Sequence, residues 1–185
     1  MIMRLLLTSA GLANQSIISA LFELAGKSAS ELKVAFVPTA ANVETGDKGW
    51  LIKDLADFKD QQFAAVDVVD ISALPQDIWR PRLEETNILC FGGGNTFHLM
   101  HWIRKSGLDK LLPELLKTRV YMGISAGSMV ASTSLALSQS QRLYYEEMKE
   151  SQSDDRGLGF VNFHIRPHLN SPDFPEVRKD VLVKM

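Results

Sequence analysis

At 185 residues, with 45% hydrophobic and 23% charged positions, the chain is large enough to bury a core as one soluble domain spanning 1–185. Its formal net charge of -2, with no lysine/arginine cluster, excludes a phosphate-binding footprint, so no nucleic-acid partner is expected. Residues 1–7 are too short for a secretion signal and no apolar run could cross a bilayer, so no membrane contact and a cytoplasmic location are expected.

The first apolar run, 2–7, leads into Thr8-Ser9-Ala10-Gly11, and residues 16–24 then carry apolar side chains at three- and four-residue spacing, the mark of an amphipathic helix. A second run, 33–37, opens into Pro38-Thr39-Ala40 and is followed by helical spacing at 49–58. A third run covers 66–71. The fourth, 88–91, contains the single cysteine, Cys90, which follows Ile88-Leu89 and reads as a buried thiol; with no second cysteine there is no disulfide framework. Beyond it lies Gly92-Gly93-Gly94-Asn95-Thr96, then helical spacing at 96–104 and 108–116, and a fifth run at 120–122. Runs that are apolar throughout, alternating with helices, predict an α/β three-layer sandwich with a mostly parallel central sheet covered on both faces. Such folds place their sites at the carboxyl ends of the strands, where the unusual residues of this chain fall.

Two of those ends carry chemistry. The glycine loop matches neither G-x-G-x-x-G nor a phosphate loop, since no G-K-[ST] follows. Three glycines instead permit a tight turn with unobstructed N–H donors, and Asn95 or Thr96 can cap the next helix. The fifth run opens into Gly123-Ile124-Ser125-Ala126-Gly127-Ser128, a serine between two glycines at a strand-to-helix turn. That is the pattern of a nucleophile elbow, in which Ser125 stands exposed beside the amides of the next helix. An oxyanion hole would draw one donor from the glycine loop and one from Ala126.

Residues 139–155 are polar and charged and read as a surface excursion with a short strand near Leu143-Tyr144-Tyr145. Gly157-Leu158-Gly159-Phe160-Val161 marks the return of order. His164 and His168 follow, four apart, but Pro167 breaks any helix that would align them and no third ligand is evident, so no metal is expected. A histidine serves better as general base to a serine. His168, expected just beyond a strand end, is preferred; His164 is the fallback, while His98 and His101 lie on the helix after the glycine loop.

Three blocks now stand in order: Phe91-Gly92-Gly93-Gly94-Asn95-Thr96-Phe97-His98-Leu99, Gly123-Ile124-Ser125-Ala126-Gly127-Ser128, and Gly157-Leu158-Gly159-Phe160 leading to Arg166-Pro167-His168. Together they resemble the dipeptidase E (alpha-aspartyl dipeptidase) family of serine peptidases. The resemblance implies a flavodoxin-like fold of the class I glutamine amidotransferase kind, with serine in place of their cysteine. It implies Ser125 as nucleophile, His168 as base, and Gly93 and Ala126 as oxyanion donors. It also implies a short peptide as substrate, no cofactor, and, for the best-known activity, removal of an N-terminal aspartate from a dipeptide. Gly94, Asn95, Thr96 and Arg166 are the substrate-binding candidates, Arg166 as a cation for an acidic substrate. The alternatives are a related serine amide or isoaspartyl-peptide hydrolase and a degenerate member that binds a small ligand. A monomer or homodimer is expected.

Two departures from the family stand out. Where the prototype has an aspartate some way beyond the nucleophile, this chain reads Leu137-Ser138-Gln139-Ser140-Gln141. Glu146, Glu147, Asp154 or Asp155 could orient the histidine in its place, or a backbone carbonyl could. The second departure is the ending: a helix is expected to begin after Pro175 and the chain stops inside it, whereas family members continue through further strands. The domain is therefore expected to be C-terminally incomplete relative to the family.

Overall fold

The structure, a computed structural model, describes residues 3–135, 155–175 and 177–182. Among these residues five strands, β1 (Arg4–Thr8), β2 (Lys33–Val37), β3 (Ala65–Val68), β4 (Ile88–Phe91) and β5 (Val120–Ile124), make one sheet in the order β1-β5-β4-β2-β3. Every pairing is parallel, a stricter outcome than the mostly parallel sheet expected. The three inner strands are almost wholly buried, which is why their sequences are apolar throughout and do not alternate.

Alternate residues of the same strands feed two cores. Val34, Phe36, Ile88, Cys90, Val120 and Met122 pack with Leu21 of α1 (Gln15–Ala25) and Phe58 of α2 (Gly49–Asp60). Ala35, Val37, Leu89, Phe91 and Tyr121 face the other way. They meet α3 (Gln76–Glu84), α4 (Thr96–Lys105), α5 (Leu108–Leu115) and the short α6 (Ala126–Met129). The three layers are thus helix, sheet and helix. Cys90 is fully buried, and burial pushes its thiol well above the ordinary value, with the charge of Asp54 adding to the shift. No described helix is long and apolar enough to cross a membrane.

Helix α3 was not expected from the sequence. Its stripe consists of Trp79 and Leu83 alone, one turn apart, amid polar residues and an internal Pro81 that weakens any helical signal. The tertiary contacts decide: both side chains are buried, and Arg82 forks onto the Asp67 carboxylate of β3 and the Val68 carbonyl. Other boundaries shift. The third strand ends at Val68, and Val69 and Ile71, although buried, belong to the loop beyond.

The segment 155–175 contains no strand, so the expected strand end before His168 is not there. Two isolated bridges, Ser132 to Val161 and Ser134 to Arg156, tie the segment to the chain that leaves α6. The close approach is enforced at Gly157, where a Cβ would fall 2.0 Å from the Ser132 carbonyl oxygen. Leu158 and Phe160 give their N–H groups to Val130 and Ala131, and both side chains pack on the core. The last helix, α7 (Lys179–Leu182), begins four residues after Pro175 and not directly beyond it. The strand expected near 143–145 lies outside the described residues.

Trp79 is the anchor of the helix that sequence pattern misses. Trp79→Ala is expected to lower the unfolding free energy by about 3–5 kcal/mol, the range for deleting a buried aromatic. Urea titration followed by far-UV circular dichroism measures it.

Candidate active site

The turn after β5 is built by contacts between backbones. Ser125 adopts φ 50, ψ -106, a conformation that non-glycine residues rarely occupy and that costs on the order of 1–3 kcal/mol. It is held there from both sides: its N–H donates to the Thr8 carbonyl at 3.0 Å, and its own carbonyl receives the Met129 N–H at 3.0 Å. A Cβ on Gly127 would fall 2.0 Å from the Phe91 carbonyl oxygen, and one on Gly123 would lie 2.6 Å from the Gly127 backbone. The two glycines of the motif are therefore steric requirements. The Ser128 hydroxyl closes the arrangement by donating to the Thr8 carbonyl at 2.7 Å while accepting the Thr8 N–H at 2.9 Å.

The glycine loop lies alongside. Gly92 and Asn95 give their N–H groups to the Val37 and Ala40 carbonyls, holding the loop by its two ends. Gly94, at φ 124, passes so near Ala40 that a Cβ would fall 2.3 Å from its oxygen. A Cβ on Gly93 would stand 3.5 Å from that of Ser125, so this residue faces the serine directly. Asn95 is the N-cap of α4, its side chain accepting the His98 N–H at 2.9 Å.

His168 arrives from the irregular segment, also at positive φ (65). Its Nε2 lies 2.8 Å from the Ser125 Oγ, and its backbone N–H donates to the Ser9 hydroxyl at 2.8 Å. Phe174 stacks on its ring at 4.1 Å between centroids and 10° between planes. Burial lowers the imidazole pKa from its ordinary 6.5; the nearby Asp173 carboxylate works against that shift and the Arg166 guanidinium adds to it. The ring is therefore neutral at neutral pH, with Nε2 able to accept a proton when Nδ1 carries the hydrogen.

Ser125 and His168 open onto a cavity of about 760 Å³. Gly93, the expected oxyanion donor, lines it, and so do Gly94, Thr96 and Arg166 of the substrate-binding candidates. Asn95 is not on its wall, and its side-chain oxygen caps α4. Ala126 is buried at the start of α6, directly after the serine. His164 is exposed and off the cavity wall, while His98 and His101 pack edge-on against Trp102. Among the described residues no cluster of histidine, cysteine or acidic side chains could hold a metal ion.

Of the acids expected to orient the histidine, Glu146, Glu147 and Asp154 lie outside the described residues. Asp155 is exposed, accepts from the Ser134 hydroxyl at 3.4 Å, and does not line the cavity. Among the described residues, none of the hydrogen bonds that His168 makes goes to a carboxylate. The acid that acts on it through space is Asp173, five residues on in Ser171-Pro172-Asp173-Phe174, a turn-forming stretch whose proximity in sequence was the available signal. Sequence reasoning also missed Asp54, an acid on the otherwise apolar stripe of α2 between Trp50 and Phe58 that lines the same cavity.

A model described as peptidase family S51 matches residues 5–185. The chain is 26% identical over 152 residues to an uncharacterized peptidase of Listeria monocytogenes, covering 82% of this chain and 72% of the relative. It is 29% identical over 146 residues to a peptidase E of Nostoc, covering 77% and 54% of the two chains. A peptidase E of Streptomyces coelicolor is 33% identical over 93 residues, half of this chain and 36% of the other. In fold, the chain is similar to a solved protein of Listeria monocytogenes, with a TM-score of 0.78 at 24% identity over 99% of this chain and 88% of that one. A peptidase from an acI-B1 Actinobacterium matches with a TM-score of 0.70 at 18% identity, over 98% and 74%.

Asp54 makes stability depend on pH. Burial first, and the like charge of Asp57 second, raise its pKa from 3.8 to about 6, with Lys53 opposing. Between those values the folded chain holds a proton that the unfolded chain has released, so this group favours folding less as pH rises. Asp54→Asn removes that loss. It is expected to raise the unfolding free energy at pH 8 by about 2–3 kcal/mol, at about 1.36 kcal/mol per pKa unit, and by only a fraction of that at pH 4. Urea titrations of both proteins at the two pH values measure the difference.

Proposed function

The chain belongs to peptidase family S51, and from that premise we propose that it is a serine exopeptidase that hydrolyses short peptides through an acyl-enzyme on Ser125. The observation that carries this reading is the 2.8 Å approach of His168 Nε2 to a serine oxygen presented on a strained strand-to-helix turn. A hydroxyl becomes an effective nucleophile when a neutral imidazole stands ready to take its proton, and the downward pKa shift of His168 supports that state.

In the proposed reaction Ser125 Oγ attacks the scissile carbonyl carbon as its proton passes to His168 Nε2. The carbonyl oxygen becomes an oxyanion and rests on the N–H groups of Gly93 and Ala126. Collapse of the tetrahedral intermediate breaks the C–N bond, and the imidazolium protonates the departing amine. Water then attacks the acyl-serine, giving its proton to the same nitrogen, and collapse of the second intermediate returns that proton to Ser125 and releases the acid. Arg166, on the cavity wall beside the histidine, suits a substrate carboxylate and supports a preference for an aspartate in the first position. Phe174 and Ser9 act as positioning residues for His168, the first against the ring and the second through its backbone.

The test is hydrolysis of Asp-Leu, isoAsp-Leu, Glu-Leu and Ala-Leu by the protein and by Ser125→Ala. Turnover is expected to be highest with Asp-Leu and to fall by about 10³-fold or more in the variant, as for removal of a nucleophile. A preference for isoAsp-Leu would move the assignment to an isoaspartyl-peptide hydrolase; a folded protein that cleaves none of the four would overturn the peptidase reading. The acid limb of kcat/KM is expected below pH 6.5, the ordinary histidine value. Asp173→Asn is expected to move that limb lower still, because the carboxylate favours the imidazolium.

A further inference from the structure

The steps proposed above leave two carboxylates of the cavity wall without a role, the half-buried Glu44 and the buried Asp54. Asp54 lies on the side of α2 that faces the sheet and is only 9% exposed. Aspartates buried to that degree ordinarily have a donor or a counter-ion. Among the described residues no donor hydrogen-bonds Asp54, and the adjacent Lys53 gives its ammonium to Asp57 instead. Its remaining exposure belongs to the cavity that Ser125 and His168 share.

Its surroundings keep the carboxylate uncovered. Oδ1 lies 3.2 Å from the point where a Cβ on Gly11 would sit, and the Ile124 side chain lies 3.1 Å from the same point. With φ at 65, Gly11 occupies a conformation suited to glycine, and any larger residue would press on the carboxylate from above. Asp54 therefore stands beside Ile124, the residue immediately before the nucleophile, while Arg166 belongs to the His168 side of the cavity. Burial lifts its pKa to about 6, as expected for a carboxylate that no described donor or cation compensates.

We propose that Asp54 binds the α-ammonium group of the substrate's first residue, an inference that rests on Ser125 being the attacking group. A free N-terminus carries its ammonium two bonds from the carbonyl carbon that Ser125 attacks, so its binder must lie close to the nucleophile. A cation supplies both the charge and the donors that the buried carboxylate lacks. An Asp54 that binds this ammonium selects peptides with a free first residue, so the enzyme removes single residues or splits dipeptides.

The test is calorimetric binding to the Ser125→Ala protein of Ala-Leu, N-acetyl-Ala-Leu and N-acetyl-Lys-Leu. The free amine is expected to bind about 10–100-fold tighter than its acetylated counterpart, the range for a hydrogen bond to a charged group. Adding Asp54→Asn is expected to bring that ratio near one. The proposal is overturned by a ratio near one in the Ser125→Ala protein itself, by a ratio that survives Asp54→Asn, or by no binding of any peptide at millimolar concentration. Binding of N-acetyl-Lys-Leu that depends on Asp54 would assign the site to a side-chain ammonium and also overturn it. Labelling of Ser125 in the parent protein by a phosphonofluoridate reads the serine mechanism separately. A labelled serine without amine discrimination removes the role of Asp54 alone, and discrimination without labelling removes the serine mechanism alone.

Discussion

The arrangement of this molecule depends on the passage of the Gly127 backbone across the end of β4. A Cβ there would come within 2.0 Å of the Phe91 carbonyl oxygen, so α6 lies against the strand with no side chain between. This contact sets the angle at which the chain leaves β5 and forces Ser125 to φ 50. Strain of that size persists only where the surroundings over-determine it. Here they do: Thr8 holds both the Ser125 amide and the Ser128 hydroxyl, and the buried Tyr121 hydroxyl donates to the Gly127 carbonyl at 2.6 Å. Tyr121 also stacks on Phe91 at 5.0 Å, so the strand that the glycine approaches is itself fixed by the core beneath. The serine is rigid because its neighbours on both sides belong to the sheet.

The same closeness organises the electrostatics. Burial is the leading cause of the shifts at both His168 and Asp54, and in each it favours the neutral form. A neutral imidazole suits a proton acceptor. A cation beside Asp54, as proposed above, would return the carboxylate to its charged form. The two shifts share one leading cause, the burial of both groups along the same cavity.

Much of this was legible in the chain. The inner strands declared themselves because burial on both faces demands continuous apolar runs, and the two glycine motifs did so because close backbone approach admits no other residue. Ser125, Gly93 and His168 fall together where the spacing and the resemblance to the dipeptidase E family led one to look. The residues that escaped were those whose role depends on contacts distant in sequence. Helix α3 rests on Trp79 and Leu83 pressed into the core, a two-residue stripe that carries little periodicity. Asn95 reads equally as a substrate contact or a cap until its oxygen is found on the His98 amide. Asp54 is the instructive case. An acid on a buried helical stripe breaks the local pattern, and such breaks tend to mark places where function overrides stability.

How His168 keeps its orientation follows from what surrounds it. Among the described residues no carboxylate hydrogen-bonds the imidazole, yet the ring is constrained in both of the ways that matter. Its position is fixed by the backbone: φ at 65 turns the residue inward, and Ser9, from the loop that follows β1, takes its N–H. Its plane is fixed by Phe174, stacked nearly parallel, which leaves Nε2 in line with the serine oxygen. A hydrogen-bonded acid supplies orientation and stabilises the imidazolium that forms during attack. Stacking and the Ser9 contact supply the first. Asp173, exposed and acting through space, supplies a weaker form of the second, since solvent screens its field. Among the described residues, orientation thus comes from Phe174 and Ser9, and the pull toward the charged ring from Asp173.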